Sequence, residues 1–540
     1  IAQKARGNTQ GLKPSQLKRL NRLYFRSYPI DSGFTPEQAR ELASISEDIG
    51  RQVALLIDRA GKPYMVLVGD TGSIYIPELP RARLGSRRLR GLRLLHTHIS
   101  GEKLTQEDLM DMVFLRLDNV CALMCEQGEP VAAQVGYLLP AEVEGRSYEV
   151  LDPVRWDRLD VDLAAIVDAL EDELARSAGT AEVSDENRAL LVSVDTAPRQ
   201  VQELSLEELA DLAETAGLDA AGTMIQRVRK LNPKFIMGKG KLAELEVKAL
   251  QADAGVIVFD QDLSPAQIRN LAEVTERKII DRTQLILDIF AQHATSRSGK
   301  LQVEMAQLKY ALPRLVGKNR AMSRLVGGIG GRGPGETKLE IDRRRARDRL
   351  TRLKKELDQV RKRRGQTRER RAKAGLPIVS LVGYTNAGKS TLLNTLTGSE
   401  VLAENKLFAT LDPTSRRIRF PREREVVLTD TVGFIRRLPA DLQEAFRATL
   451  EELDSADVMV LVADASHPEV EEQVAAVRSI INEMDLADTP TILVLNKWDR
   501  LDEEERVAMG NVFPDALTVS ALDRPSLEPL VEEILDNLPN

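Results

Sequence analysis

Apolar and polar positions change their period several times along the chain, and each change marks a different kind of element. Up to about Pro140 the strand-length runs QVALLID, YMVLVG, SIYIP and LRLLHTH precede a helical stretch, DLMDMVFLRL, and then VAAQVGYLLP. This pattern predicts an α/β domain over 1–150. One amphipathic helix and the polar connection ARSAGTAEVSDEN follow, a helical linker over 151–186. A second α/β unit, 187–290, reads RALLVSVDT, helix SLEELADLAETAG, GVIVFDQ, helix SPAQIRNLAEVT and KIIDRT. Such alternation predicts a small mixed or parallel sheet. The segment 291–375 is helical, interrupted by GGIGGRGPGE. Leu339 and Ala346 lie one heptad apart, and Leu350, Leu353, Leu357 and Val360 continue at steps of three and four. That spacing predicts the seam of an antiparallel helical hairpin or coiled coil. From 376 to 540 strands and helices alternate again.

At 540 residues the chain exceeds one core, since domains average roughly 150 residues. The longest apolar runs are strand-sized, so no membrane span is expected. The opening IAQKARGNTQ lacks the apolar stretch of a secretory signal, and it starts with Ile rather than Met, so further residues are expected before it. Two cysteines, Cys121 and Cys125, are too few for a disulfide framework; two buried free thiols and a cytoplasmic location are expected. The net charge of −7 conceals a basic segment: between Glu336 and Gly375 there are 17 Lys and Arg against 7 Asp and Glu. A basic stretch in an acidic protein points to a polyanion gripped locally.

The chemistry is concentrated after residue 376. Strand PIVSLV runs into Gly383-Tyr384-Thr385-Asn386-Ala387-Gly388-Lys389-Ser390-Thr391, which fits G-x-x-x-x-G-K-[ST]. Glycines let successive N–H groups face phosphates, Lys389 reaches the β/γ oxygens, and Ser390 offers a hydroxyl to Mg²⁺. Strand EVVLTD ends in Asp430, placed to hold the metal through water, and Asp430-Thr431-Val432-Gly433 brings the Gly433 N–H toward a γ-phosphate. Thr410, within Phe408-Ala409-Thr410-Leu411-Asp412, is the candidate threonine of the first switch, sensing both Mg²⁺ and γ-phosphate. Lys389, Thr410 and Gly433 are therefore the candidate catalytic groups. Asn496-Lys497-Trp498-Asp499 closes another strand, and the Asp499 carboxylate can accept two hydrogen bonds from guanine, which adenine cannot donate. Ser520-Ala521-Leu522 supplies a small-residue turn for the guanine carbonyl. The set predicts a Mg²⁺-dependent GTPase that cycles between GTP and GDP. Phe434 stands where many GTPases place a water-orienting Gln, so hydrolysis is either slow or completed by another group.

These motifs, with FDQDLSPAQIRNL, IDRTQLILDIFAQHA, GKLQVEMAQLKY and GGIGGRGPGET upstream, resemble the HflX family of GTPases from about Glu186 to Asn540. The resemblance implies an α/β multidomain protein: a P-loop GTPase domain with a parallel-rich sheet, preceded by a small α/β subdomain and a helical hairpin. An extra N-terminal α/β domain is added here. It also implies a hydrophobic residue in the Gln position, binding to the large ribosomal subunit and its rRNA, and ribosome splitting or rescue under stress. A monomer is expected. The loop Gly327–Gly335 has six glycines in nine residues and also fits G-x-G-x-x-G at Gly328, Gly330 and Gly333. No apolar strand feeds it, which argues against a dinucleotide site. Arg332, Arg324 and Lys318 favour RNA contact, against a flexible connector. The clusters Arg343–Arg345 and Arg361–Arg364 exceed what solvation of a helix requires. A GTP-regulated RNA-binding switch in ribosome assembly is the first alternative.

The N-terminal extension carries His96 and His98 at the end of LRLLHTH, then Thr105 and Asp108. Two imidazoles and a carboxylate so spaced could hold Zn²⁺; two histidines in a polar loop are the competing reading. The arrangement resembles the JAMM/RadC-like metalloprotease fold, with Thr105 in place of Ser and a spacer one residue shorter. Glu47 is the nearest candidate for the water-activating glutamate, and by strand register its place is held by Gly50 to Gln52. A fold without peptidase chemistry is expected; a metal-dependent isopeptidase with a GTPase regulator is the second alternative.

Overall fold

The computed structural model describes residues 4–77, 79, 89–143, 146–177, 187–314, 338–373, 376–398, 414–419, 425–430, 433–434, 453–484 and 486–539. These form two compact units: Ile1–Leu206 with Leu218–Ile280, and Glu207–Gly217 with Asp281–Asn540. Among the described residues no helix is long and apolar enough to cross a membrane.

In the first unit an eight-stranded sheet runs in the order Arg6–Gly7, Pro63–Val68, Val53–Asp58, Leu92–His98, Val120–Glu126, Glu129–Val143 and Arg146–Val150, with Val154–Arg155 also on Glu129–Val143. Successive side chains of a strand face opposite sides of a sheet. Leu55, Ile57, Leu95, Cys121, Leu123 and Cys125 accordingly enter one core with Ala39, Leu42 and Ile45 of helix Pro36–Ile49. Leu56, Leu94 and Val120 enter a second core with Leu109, Met112 and Val113 of helix Gln106–Phe114. Both faces are covered, which is why these strands read as unbroken apolar runs. The run SIYIP, expected to be a strand, is irregular over 73–77. Asp70 turns the chain there, accepting from the backbone N–H groups of Gly72 and Ser73, while Arg6–Gly7 pairs along Pro63–Val68.

A four-stranded sheet in the same unit runs Asp219–Arg227, Arg188–Asp195, Val256–Phe259 and Lys278–Asp281, the first three parallel. Helix Lys239–Gln251 is buried on two sides. Leu242, Leu245 and Ala249 pack with Phe259 and Leu271 of this sheet. Ala243, Val247 and Leu250 pack with Met112, Val113 and Leu174 of the extension. Packing therefore runs continuously across position 187.

In the second unit, helices Arg297–Arg314 and Lys338–Lys373 form the expected hairpin. Arg349 pairs with Glu304 at 2.7 Å, and Arg297 with Glu356 at 3.9 Å. Partner numbers fall on one helix as they rise on the other, so the two are antiparallel. Leu353 and Leu357 are buried in the seam, while Arg347, Arg352, Lys354 and Lys355 are exposed. The glycine loop, with Lys318, Arg324 and Arg332, lies outside the described residues, as do the side chains of Arg361–Arg364. The C-terminal sheet runs Thr414–Arg419, Glu425–Asp430, Ile378–Gly383, Val458–Asp464, Thr491–Asn496 and Leu517–Thr518, every pair parallel except the first. Parallel strands deliver all their C-terminal ends to one edge, where Gly383, Asp430, Asp464 and Asn496 meet.

Candidate nucleotide site

The strand Ile378–Gly383 is buried nearly throughout and ends in a loop that only its own residue types can make. Gly383 has φ +148°, and a Cβ there would sit 2.1 Å from the Val462 carbonyl oxygen. Gly388 has φ +91°, and its Cβ would meet Asn496 Nδ2 at 2.2 Å. Between them Asn386 takes φ +60°, and helix Lys389–Thr397 starts immediately after. The positive end of that helix faces the loop, a place suited to anions. Thr391 lies in its first turn.

Lys389 is buried and donates from Nζ to the carbonyls of Gly383, at 3.0 Å, and Tyr384, at 2.6 Å. Burial pushes its ammonium down to about 8, partly opposed by the nearby Asp430 carboxylate. Ser390 Oγ donates to Asp430 Oδ2 at 2.7 Å. Two hard oxygen donors thus sit side by side, the donor type Mg²⁺ takes. Past Asp430, Phe434 closes back on the loop: its N–H donates to Gly383 O at 3.0 Å, and its carbonyl accepts from Thr385 N at 2.8 Å. Gly433 passes so close that a Cβ would lie 2.7 Å from Thr385 Cα. Phe434 itself is buried.

The other half of the site is joined to the first by one side chain. Asn496 donates from Nδ2 to Ala387 O and accepts at Oδ1 from Ala521 N, both at 2.8 Å. Thr395 Oγ1 adds a bond to Ala521 O at 2.6 Å. Trp498 N donates to Val519 O, and Ser526 Oγ accepts from Ser520 N at 3.0 Å. A hydrogen bond from Ser520 holds the exposed Asp499 carboxylate below its ordinary range. Leu522 is exposed. Lys497, at φ +61°, reaches Asp464 at 2.6 Å. Asp464 and Ser526 were not singled out from sequence. An acid closing the apolar run VMVLVAD, in register with Asn496, was the available signal for the first.

The structure thus gathers Gly383 to Thr391, Asp430, Gly433, Asn496 to Asp499 and Ser520 to Leu522 at one sheet edge. Phe408, Ala409, Thr410, Leu411, Asp412, Thr431 and Val432 lie outside the described residues.

Three family profiles match the chain in tandem: "GTP-binding GTPase N-terminal" over 203–291, "GTP-binding GTPase Middle Region" over 293–371, and "50S ribosome-binding GTPase" over 378–497. Among curated relatives, GTPase HflX of Caldanaerobacter subterraneus subsp. tengcongensis is 47% identical over 350 residues, covering 65% of this chain and 80% of that one. GTPase HflX of Escherichia coli (strain K12) is 49% identical over 300 residues, covering 56% and 70%. Among solved structures, a GTP-binding protein from Sulfolobus solfataricus in complex with GDP is 26% identical, covering 65% of this chain and 98% of that one, with a TM-score of 0.37.

Proposed function

The chain belongs to the HflX family of GTPases, which hydrolyse GTP, and from that premise we propose that it works on the large ribosomal subunit, splitting or rescuing stalled ribosomes under stress. The observation that carries the proposal is the helix Lys338–Lys373. It buries Leu353 and Leu357 against its partner and turns Arg347, Arg352, Lys354 and Lys355 outward, four residues before the strand that carries the phosphate loop. A cationic helix face suits an RNA wall, where phosphate contacts supply most of the affinity. The description "50S ribosome-binding GTPase" of the matching profile supports the same partner.

Within the site, the loop N–H groups and Lys389 hold the phosphates and Asp499 reads guanine. The backbone after Asn496 and at Ala521 closes over the base. Ser390, Thr410 and Asp430, the last through water, are the residues that would hold Mg²⁺. When bound, that ion neutralises charge on the β- and γ-phosphate oxygens. Gly433 offers its N–H to the γ-phosphate. Phe434 contributes no water-orienting group, so the attacking water is positioned by another group or by the bound partner. The protein acts in the cytoplasm as a monomer.

The test measures GTP turnover with and without large ribosomal subunits, and subunit binding across a salt series. Stimulation by large subunits, and an affinity that falls steeply with salt, are expected. The variant Arg347→Gln/Arg352→Gln/Lys354→Gln/Lys355→Gln should bind more weakly with a flatter slope, and its basal turnover should be unchanged. Stimulation by assembly intermediates alone would replace this reading with a GTP-regulated switch in ribosome assembly.

A further inference from the structure

A second chemically distinctive cluster lies in the N-terminal extension, before the residues that the family profiles match. In strand Leu92–His98, Leu95 faces the core of helix Pro36–Ile49 and Leu94 faces helix Gln106–Phe114. By alternation His96 and His98 share the Leu94 side. His96 is fully buried, and neither of its ring nitrogens has a hydrogen-bond partner among the described residues. Burying an imidazole in that condition is costly unless something else satisfies it. His98 is held through Nδ1, which donates to the Glu102 carbonyl at 2.8 Å. That bond leaves the Nε2 lone pair facing Asp108 Oδ2 at 3.5 Å.

Asp108 is oriented by its own helix. The backbone N–H and the hydroxyl of Thr105 both donate to Oδ2 at 2.7 Å, and Thr105 Oγ1 accepts from Asp108 N: a capping box. The cap explains why Asp108 follows Thr105 by three residues. It does not explain two buried imidazoles aimed at the carboxylate, with Oδ1 lying 3.8 Å from His96 Nε2. One ligand atom from each of the three residues falls within 4.8 Å of the others. A tetrahedral zinc ion with bonds of about 2.0–2.2 Å sets its ligands roughly 3.3–3.6 Å apart. Small side-chain adjustments would close that triangle.

We propose that His96, His98 and Asp108 bind a divalent transition-metal ion of zinc type, and that the ion latches helix Gln106–Phe114 to the central sheet rather than hydrolysing a substrate. Two observations favour a latch. The far end of the helix is already clamped, with Arg90 and Arg116, both buried, paired to Glu276 at 2.5 and 2.7 Å. Between its ends, Met112 and Val113 pack on Ala243, Val247 and Leu250 of the helix shared by the two sheets. A metal at the N-terminal end fixes the remaining free end of this brace. Against hydrolysis, Glu47 lies on the opposite side of the sheet: it neighbours Cys125, and its Cβ lies 3.3 Å from a Cβ built on Gly128. It cannot serve as base for a water on the histidine face.

The test uses the full chain stripped with a chelator. Zn²⁺ is titrated in competition with a chromogenic chelator, Co²⁺ is titrated while its visible d–d bands are recorded, and amide exchange is followed with and without Zn²⁺. One tight Zn²⁺ per chain and tetrahedral Co²⁺ bands are expected, with affinity lost at least about 100-fold in Asp108→Asn and His98→Gln. Zn²⁺ should slow exchange over 106–117 and 239–251 in the wild type and not in Asp108→Asn. The Asn keeps the size of the side chain and an acceptor for the cap, so this variant stays decisive if a histidine variant fails to fold. Wild-type Zn²⁺ affinity in both variants would overturn the site. Zn²⁺ bound through these residues without any change in exchange would overturn the latch.

Discussion

Two loops in this protein leave the C-terminal end of a central strand and enter the N-terminus of a helix: 383–389 and 98–106. The first is built from backbone. Its glycines are required because a Cβ at Gly383 or Gly388 would strike Val462 O or Asn496 Nδ2, and its cation is satisfied by loop carbonyls. The second is built from side chains: a Thr105–Asp108 cap and two imidazoles, one of them without a hydrogen bond among the described residues. Backbone sites impose spaced glycines that survive as a readable motif. Side-chain sites use residue types that caps, cores and ligands all share, so the same letters admit several meanings until the sheet register is known.

The sharpest way to break the first half of this comparison is at the base-reading carboxylate. Asp499→Asn turns one acceptor into a donor facing guanine donors. GTP affinity should fall by about 10⁴-fold, with xanthosine triphosphate binding better than GTP, as titration with both nucleotides would reveal. Normal GTP binding would remove Asp499 from the site.

Lys389→Ala comes next. Its ammonium is the only cationic side chain bonded to the Gly383 and Tyr384 carbonyls among the described residues, so no neighbour replaces it. Single-turnover GTP hydrolysis should drop about 10²–10³-fold, with the fold preserved by circular dichroism. Unchanged turnover would mean that the phosphates lie elsewhere.

The same lysine makes the site sensitive to alkali. Burial lowers it to about 8, whereas in the unfolded chain it titrates near the ordinary lysine value of 10.5. The unfolded state then holds more protons than the folded one across that window, so this group's cost to stability is present below pH 8 and fades as pH rises. Nucleotide binding has the opposite sense, because phosphates favour the charged amine. Above pH 8, binding must take up a proton, and GTP affinity should fall by up to about tenfold per pH unit. Calorimetry in two buffers of different ionisation enthalpy measures that proton directly; zero uptake at pH 9 would contradict it.

Much of this architecture could be read before the structure, and the unread parts share a cause. The phosphate loop, Asp430 and Asn496 follow apolar strands whose ends all reach one edge, so local pattern and tertiary position coincide. The hairpin seam was equally visible, since Leu353 and Leu357 repeat at helical spacing. What sequence could not show was the double burial of helix Lys239–Gln251. Its apolar residues cover most of the helix surface, and only the two cores reveal that Ala243, Val247 and Leu250 face the extension. Nor could it separate Thr105-x-x-Asp108 as a cap from the same residues as half of a metal pattern, because one geometry serves both.

That double service gives the smallest expected effect and the most discriminating one. Thr105→Ala removes the oxygen that accepts from Asp108 N and the hydroxyl that donates to Asp108 Oδ2. Loss of a threonine cap costs about 0.5–2 kcal/mol, so the first unit should melt a few degrees lower. GTP turnover should not change, since Thr105 belongs to the other compact unit from the nucleotide site. Thr105→Ser keeps the oxygen and should restore most of the loss. If the cap were the whole purpose of these residues, His98→Gln would leave the melting temperature of Thr105→Ala unaffected by Zn²⁺, as in the metal-free protein. If Asp108 is also a ligand, Zn²⁺ should raise the melting temperature of Thr105→Ala while the histidine is present and fail to do so once it is replaced. A double-mutant cycle over Thr105 and His98, run with and without Zn²⁺, therefore separates the cap from the ligand within one set of melting curves.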